Sequence, residues 1–158
     1  MSVNPFDIKS ILLAKHAQHV VLVHFPIALF IVGVAFDFVA QRTKRRALAD
    51  AAYYNLLVAA ISTLPVVVTG ILAWQFALEG QKLKGLLLEH MVLGLTSSGI
   101  IWLVWWLHFR VRLHDRRSGR IGENVLPTFR IPLELLGVAV IALTGHLGGF
   151  LSGVNGPG

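Results

Sequence analysis

Four long stretches of this sequence contain no Asp, Glu, Lys or Arg. They lie between Lys15 and Asp37, between Asp50 and Glu79, between Glu89 and Arg110, and after Glu134. Each of them can hold the roughly 20 apolar residues that cross a bilayer as one helix. Over the whole chain only 14% of the residues are charged, whereas soluble domains carry about 25%. The pattern therefore excludes a soluble enzyme, a disordered chain and a nucleic-acid-binding domain.

The charge-free stretches predict an all-α integral membrane protein, a four-helix bundle that occupies residues 17–153. The predicted spans cover about 17–40, 51–78, 86–109 and 131–151. Residues 1–16 are interpreted as an interfacial segment, with a loosely ordered terminus as the alternative, and residues 154–158 as a flexible tail. Cysteine is absent, which excludes disulfides, Cys-ligated iron–sulfur clusters and covalent c-type haem within the chain.

Lysine and arginine are concentrated in two of the three predicted loops. Residues 41–50 contain four of them and residues 110–130 contain six, out of 14 in the chain. Because basic residues accumulate in cytoplasmic loops, both of these loops are predicted to face the cytoplasm. Both termini and the loop around residues 79–85 are then predicted to face the outer, periplasmic side of a bacterial inner membrane, which the chain crosses several times.

Histidines recur at one predicted depth on different helices. Five of the seven are expected near the outer side of the membrane: His16, His19, His24, His90 and His146. An ionisable side chain inside a span is costly and usually faces the bundle interior. Imidazole is also a preferred ligand of haem iron and of several metals. We therefore predict that two of His24, His90 and His146 bridge one cofactor, and the alternative is that they are hydrogen-bonded packing residues.

Small residues and a proline accompany these histidines. Gly145 and Gly149 flank the histidine of the last span, and Gly94 lies one turn after that of the third, so that a flat ring or another helix can approach closely. Pro26 is expected to kink the first span and to free a carbonyl that holds an imidazole N–H. These four residues are predicted to line the cofactor, with helix packing alone as the alternative for the glycines.

Two carboxylates lie near the predicted cytoplasmic ends of the spans. Asp37 and Glu134 are expected to pair with Arg42 or Arg130. A proton path or a quinone contact that also involves His108 is the alternative. This side is far along the helix from the outer histidines. A second haem is therefore not expected here.

Three segments carry motifs that can be compared with known families. They are the run H-F-P-I-A-L at residues 24–29 followed by Asp37, the region of residues 70–94, and the run G-H-L-G-G at residues 145–149. Together they resemble the bacterial membrane proteins grouped as domain of unknown function 2231, in the type fused to or encoded beside c-type cytochromes. The resemblance covers about residues 19–153 and implies a membrane location and a link to electron transfer. The chain departs from this type after the glycines, where such members often continue with another histidine and this sequence has Ser152 and Gly153.

The sequence thus predicts a b-type haem membrane subunit of a respiratory or redox complex. It is expected to transfer electrons between an outer-side redox partner and the quinone pool or another membrane carrier, and to have no catalytic domain of its own. One haem b is expected, with His19 a candidate ligand for a second, shallower site. The alternatives are a non-redox anchor or assembly subunit and a His-rich metal-binding membrane protein.

The predicted partners follow from this interpretation. They are membrane lipid, quinone and a redox subunit such as a cytochrome c, an iron–sulfur protein or a hydrogenase-like protein. The chain is expected to work in a hetero-oligomer and to bind no nucleic acid.

Overall fold

The computed structural model describes residues 15–118 and 129–153. The predicted interfacial segment up to residue 14 and the predicted tail, residues 154–158, lie outside the described residues. Within the described ranges the chain is helical and forms no strand. Its helices are α1 Lys15–Leu22, α2 His24–Thr43, α3 Arg46–Leu72, α4 Gly85–Ser118 and α5 Arg130–Leu151, with a π-helical turn at Ala73–Ala77 after α3.

Four helical segments are long and apolar enough to cross a membrane, as the sequence predicts. They run over Ala17–Thr43, Arg46–Phe76, Gly85–Asp115 and Arg130–Leu151. In the apolar 18-residue window of each span, only 17% to 28% of the residues are buried. Most of the apolar surface therefore faces outward, which suits a lipid environment and would be unfavourable in water.

The first span is interrupted at Val23, between α1 and α2. Pro26 lies three residues later and has no N–H, so the carbonyl of Leu22 loses its usual partner in the helix. The bonds on either side persist, because the Val23 N–H donates to His19 at 3.1 Å and the Ile27 N–H donates to Val23 at 3.4 Å. Proline thus interrupts the helical hydrogen-bond pattern beside His24 without separating the two helices.

The third span is longer than its charge-free stretch, because α4 continues to Ser118. Arg112, on this extension, forms an ion pair with Asp50 of α3. Its guanidinium also lies over the ring of Tyr53, 4.2 Å from the ring centre. These contacts attach the extended helix to its neighbour beyond the apolar region.

The helices pack as an up-and-down bundle in which each span contacts its sequence neighbours and α5 closes on α2. The end where α1 and α4 begin and α3 and α5 end is called the terminal end here. The opposite end, where α2 passes into α3 and α4 ends, is called the loop end. Residues that face the bundle interior on different helices are therefore close to one another at each end.

A tightly packed apolar layer separates the two ends. Its centre is formed by Phe30, Leu56, Ile101, Val104 and Ile141, each at most 3% exposed. Gly137 allows α5 to approach closely, because a Cβ at this position would lie 2.8 Å from Cζ of Phe30. Trp102 is tied to the same layer through a 3.0 Å hydrogen bond from its indole N–H to Thr63.

The two halves of the bundle bury equivalent positions. Buried residues of the first span recur in the third span 71 positions later: Pro26 and Ser97, Phe30 and Ile101, Asp37 and His108. Buried residues of α3 recur in α5 78 positions later: Ala52 and Arg130, Leu56 and Glu134, Ala59 and Gly137, Thr63 and Ile141. The first span and α3 thus bury residues at the same relative positions as α4 and α5, as expected of two parallel repeats.

Candidate functional site

Two histidines from opposite halves meet inside the terminal end. The ring centres of His19 on α1 and His90 on α4 are 6.4 Å apart, and the ring planes are inclined by 86°. Both residues are half-buried. They occupy equivalent positions in the two repeats, since His90 follows His19 by the same 71 positions. We call His19 and His90 the histidine pair.

Each ring of the histidine pair is oriented by a backbone carbonyl of the other helix in its own half. Nδ1 of His19 lies 3.1 Å from the carbonyl oxygen of Val66 on α3. Nδ1 of His90 lies 3.1 Å from that of Thr144 on α5. Because a carbonyl oxygen only accepts, Nδ1 carries the hydrogen in both rings, and the lone pair of each neutral imidazole is then on Nε2.

A glycine lies beneath each ring, one helical turn after the carbonyl that holds it. A Cβ at Gly70 would be 2.9 Å from Cε1 of His19, and a Cβ at Gly148 would be 3.1 Å from Cε1 of His90. Both distances are shorter than ordinary carbon contacts. Glycine is therefore what allows the imidazoles to lie against α3 and α5, and the two halves use the same arrangement.

The other predicted site residues lie around this pair but do not join it. His24 is exposed at the start of α2. His146 is also exposed, with its ring edge against Phe150 at 5.0 Å between ring centres. Of the three histidines favoured by the sequence, the structure therefore brings only His90 into the bundle, and its neighbour is His19.

The predicted lining residues are similarly divided. Pro26 is buried at the start of α2, and Gly149 is half-buried. A Cβ at Gly94 would reach Thr144 at an ordinary 3.9 Å, whereas a Cβ at Gly145 would meet nothing within 4 Å. Gly145 thus faces away from neighbouring helices, and the glycine that supports His90 is Gly148.

A second polar group, for which the sequence predicts ion pairing with a proton path or quinone contact as the alternative, is buried at the loop end. It consists of Asp37, His108, Arg130 and Glu134, each at most 7% exposed, and we call it the ion cluster. The sequence signal was the placement of ionisable residues inside spans, where they are expensive. Of the two pairings expected for Asp37, the structure contains the one with Arg130.

Within the ion cluster, Asp37 is held by several N–H donors on one carboxylate oxygen. Nε and a terminal nitrogen of Arg130 lie 3.0 Å and 2.9 Å from Oδ2 of Asp37. The side-chain amide of Gln41 donates to the same oxygen at 2.8 Å. Such charge-assisted bonds stabilise an ionised carboxylate in a buried position.

The remaining two members form an acid–base pair. Nε2 of His108 lies 3.0 Å from Oε1 of Glu134. The same oxygen is 3.8 Å from Nε of Arg130. One ligand atom each from Asp37, His108 and Glu134 falls within 4.8 Å of the others, so three helices converge on this point.

The family assignment is consistent with this fold. Residues 15–156 match the family described as "Predicted membrane protein (DUF2231)". The chain belongs to this family. No curated protein and no solved structure matches the chain. Membership agrees with the four candidate spans and makes the chain a membrane protein whose surface contacts lipid, while its predicted association with cytochromes stays a prediction.

Proposed function

We propose that this protein is a b-type haem membrane subunit and that the histidine pair supplies both axial ligands. An imidazole nitrogen binds a metal at about 2 Å and lies about 1 Å from its ring centre, so two rings on opposite sides of one ion would have centres about 6 Å apart. The ring centres of His19 and His90 are 6.4 Å apart. This agreement is the observation that carries the proposal.

The hydrogen bonds of the pair support the same interpretation. A histidine that binds a metal through one ring nitrogen usually donates its other N–H to a carbonyl or carboxylate, which fixes the tautomer and the ring direction. His19 and His90 make this bond to Val66 and Thr144. In the proposed site each ring would bind the iron through Nε2, with Nδ1 held by the carbonyl.

The proposed role is electron transfer. Haem with two histidine ligands supplies a one-electron carrier within the membrane. The residues of this chain hold and orient the two imidazoles and surround them with apolar helices. With both termini outside, as the basic loops predict, the histidine pair lies toward the outer leaflet, where an outer-side redox subunit can reach it. The second carrier is then the quinone pool or another membrane protein.

The absorption spectrum of the purified full-length protein tests the proposal. We expect a Soret band, and sharp α and β bands after reduction with dithionite. His19→Ala and His90→Ala should lose haem or turn it high-spin, because each removes one axial ligand. His24→Ala and His146→Ala are matched controls at the same end of the bundle and should keep the low-spin spectrum.

Three results would contradict this assignment. A correctly assembled, colourless protein that takes up no haem would leave the role of a non-redox anchor. A colourless protein that binds zinc or copper, and loses it in His90→Ala, would make the histidine pair a metal-ion site instead. A low-spin spectrum that survives His19→Ala but not His24→Ala or His146→Ala would keep the haem and move its ligands.

A further inference from the structure

Burial limits the net charge that the ion cluster can carry. Arg130 is positive under all ordinary conditions, and Asp37, which accepts its two N–H groups, is negative. These two charges cancel. The pair of His108 and Glu134 is then neutral only when it holds one dissociable proton, either as imidazolium with carboxylate or as imidazole with carboxylic acid. Without this proton the cluster carries one negative charge inside the membrane, which is unfavourable.

Among residues 15–118 and 129–153, the hydrogen bonds and ion pairs of the cluster involve no further charged side chain. Asp37 lies on α2, His108 on α4, and Arg130 and Glu134 on α5. Gln41 of α2 donates a hydrogen bond to the cluster. At the same depth α3 has the buried apolar residues Ala52 and Leu56. The ion pair of Asp50 with Arg112 lies beyond them, toward the loop end, and is partly exposed.

A metal ion fits this geometry poorly, although three ligand atoms converge. Nε of Arg130 lies 3.0 Å from Asp37 and 3.8 Å from Glu134. A divalent cation bound by both carboxylates would therefore lie beside a guanidinium, and the like charges would repel strongly in a medium of low dielectric constant. The small cation that the cluster can accept without displacing Arg130 is a proton.

The cluster also lies close to the loop-end surface. Arg130 is the first residue of α5, and Asp37 lies less than two turns before Thr43, the last residue of α2. Gln41, which donates to Asp37, is only half-buried. A chain of polar groups therefore leads from the helix ends to the acid–base pair, whereas the apolar layer around Phe30 and Ile101 separates the pair from the terminal end.

We propose that the ion cluster is a proton-binding site, in which one exchangeable proton is shared by Nε2 of His108 and Oε1 of Glu134. The proton moves between these two atoms and exchanges with water at the loop end, which the sequence predicts to be cytoplasmic. Loss of the proton leaves one net negative charge on the cluster. This site does not depend on the haem assignment.

Infrared and nuclear magnetic resonance spectroscopy of the full-length protein in lipid nanodiscs test this proposal. In His108→Gln, Glu134 has to keep the proton itself, so we expect the carbonyl band of a protonated carboxylic acid at neutral pH, shifted in heavy water. The band should vanish in the double variant His108→Gln/Glu134→Gln. It should remain in the double variant His108→Gln/Glu89→Gln, because Glu89 is exposed at the terminal end.

The wild-type protein provides a second measurement that needs no folded His108 variant. Nitrogen-15 spectra should show a response of His108 to Glu134→Gln, because the amide cannot hold the shared proton, and no response to Glu89→Gln. If His108→Gln has only ionised carboxylates at neutral pH, or if the His108 signal is the same with glutamate and glutamine at 134, the proposal is wrong. Zinc binding by the wild type that Glu134→Gln abolishes would overturn it in favour of a metal site.

Discussion

The ring of His90 lies so close to Gly148 that a single methyl group on the glycine would be 3.1 Å from Cε1 of the imidazole. The same relationship exists between His19 and Gly70 in the first half of the chain, at 2.9 Å. In both cases the carbonyl four residues before the glycine accepts the hydrogen bond from Nδ1. Position and tautomer of the two histidines are thus set by one short helical segment in each half.

Alanine at these glycines should disturb the histidine pair. Gly148→Ala should tilt His90 away from Thr144, and Gly70→Ala should do the same to His19, because neither ring can stay in place beside a Cβ. We expect weakened haem retention or a partly high-spin spectrum in both variants. Gly145→Ala, in open space on the same helix, is the control and should leave the spectrum unchanged. If Gly148→Ala and Gly145→Ala had the same spectrum, the close contact of Gly148 with His90 would not be needed for haem binding.

The sequence predicted the spans and the layer of histidines, but not which histidines face each other. In a soluble bundle the polar face of each helix reveals its rotation, whereas here the core and the lipid-facing surface are both apolar. The sequence neighbours of His24 and His146 are as apolar as those of His19 and His90. Only the contact partners on α3 and α5 distinguish them, and those depend on the packed bundle.

The internal repeat was hidden from the sequence for a related reason. Asp37 corresponds to His108, and Leu56 to Glu134, so the equivalent residues differ in chemistry. Identical pairs such as His19 with His90 and Gly70 with Gly148 do not stand out in a chain rich in Leu, Val and Gly. The equal spacing of 18 positions from His19 to Asp37 and from His90 to His108 was the available signal.

The closest helix contact in the apolar layer should respond to added volume. Gly137→Ala would place a Cβ 2.8 Å from Phe30 and 2.9 Å from Ile100, and overpacking of this kind typically costs about 1–3 kcal/mol. Gly99 has nothing within 4 Å of its added Cβ, so Gly99→Ala should be neutral or stabilise the helix by up to about 1 kcal/mol. Unfolding in mixed micelles, followed by circular dichroism, compares the two variants. A stable Gly137→Ala protein would contradict the tight contact of α5 with α2.

The buried ion pair of Asp37 with Arg130 and the partly exposed pair of Asp50 with Arg112 should differ strongly in their contribution to stability. Arg130→Met leaves Asp37 buried without its cationic partner, and breaking a buried pair in this way costs about 3–5 kcal/mol. The double variant Asp37→Leu/Arg130→Met removes both charges and should recover most of the loss. Asp50→Asn, in the partly exposed pair with Arg112, should change the free energy of unfolding by less than about 1 kcal/mol. A double variant no more stable than Arg130→Met would show that the charges contribute favourably as a pair.

The orientation of the bundle decides which side of the membrane the histidine pair and the ion cluster face. Ten of the 14 basic residues lie in the two predicted cytoplasmic loops, so a phosphatase reporter fused after Gly158 should be active on the outer side and one inserted after Glu123 should be inactive. A reporter after Lys82, in the loop between α3 and α4, is a second outer-side fusion and should behave like the one after Gly158. The opposite pattern would place the histidine pair near the cytoplasm and the ion cluster near the outer leaflet. An outer-side redox subunit would then have no access to His19 and His90, and the shared proton of His108 and Glu134 would exchange with the periplasm instead.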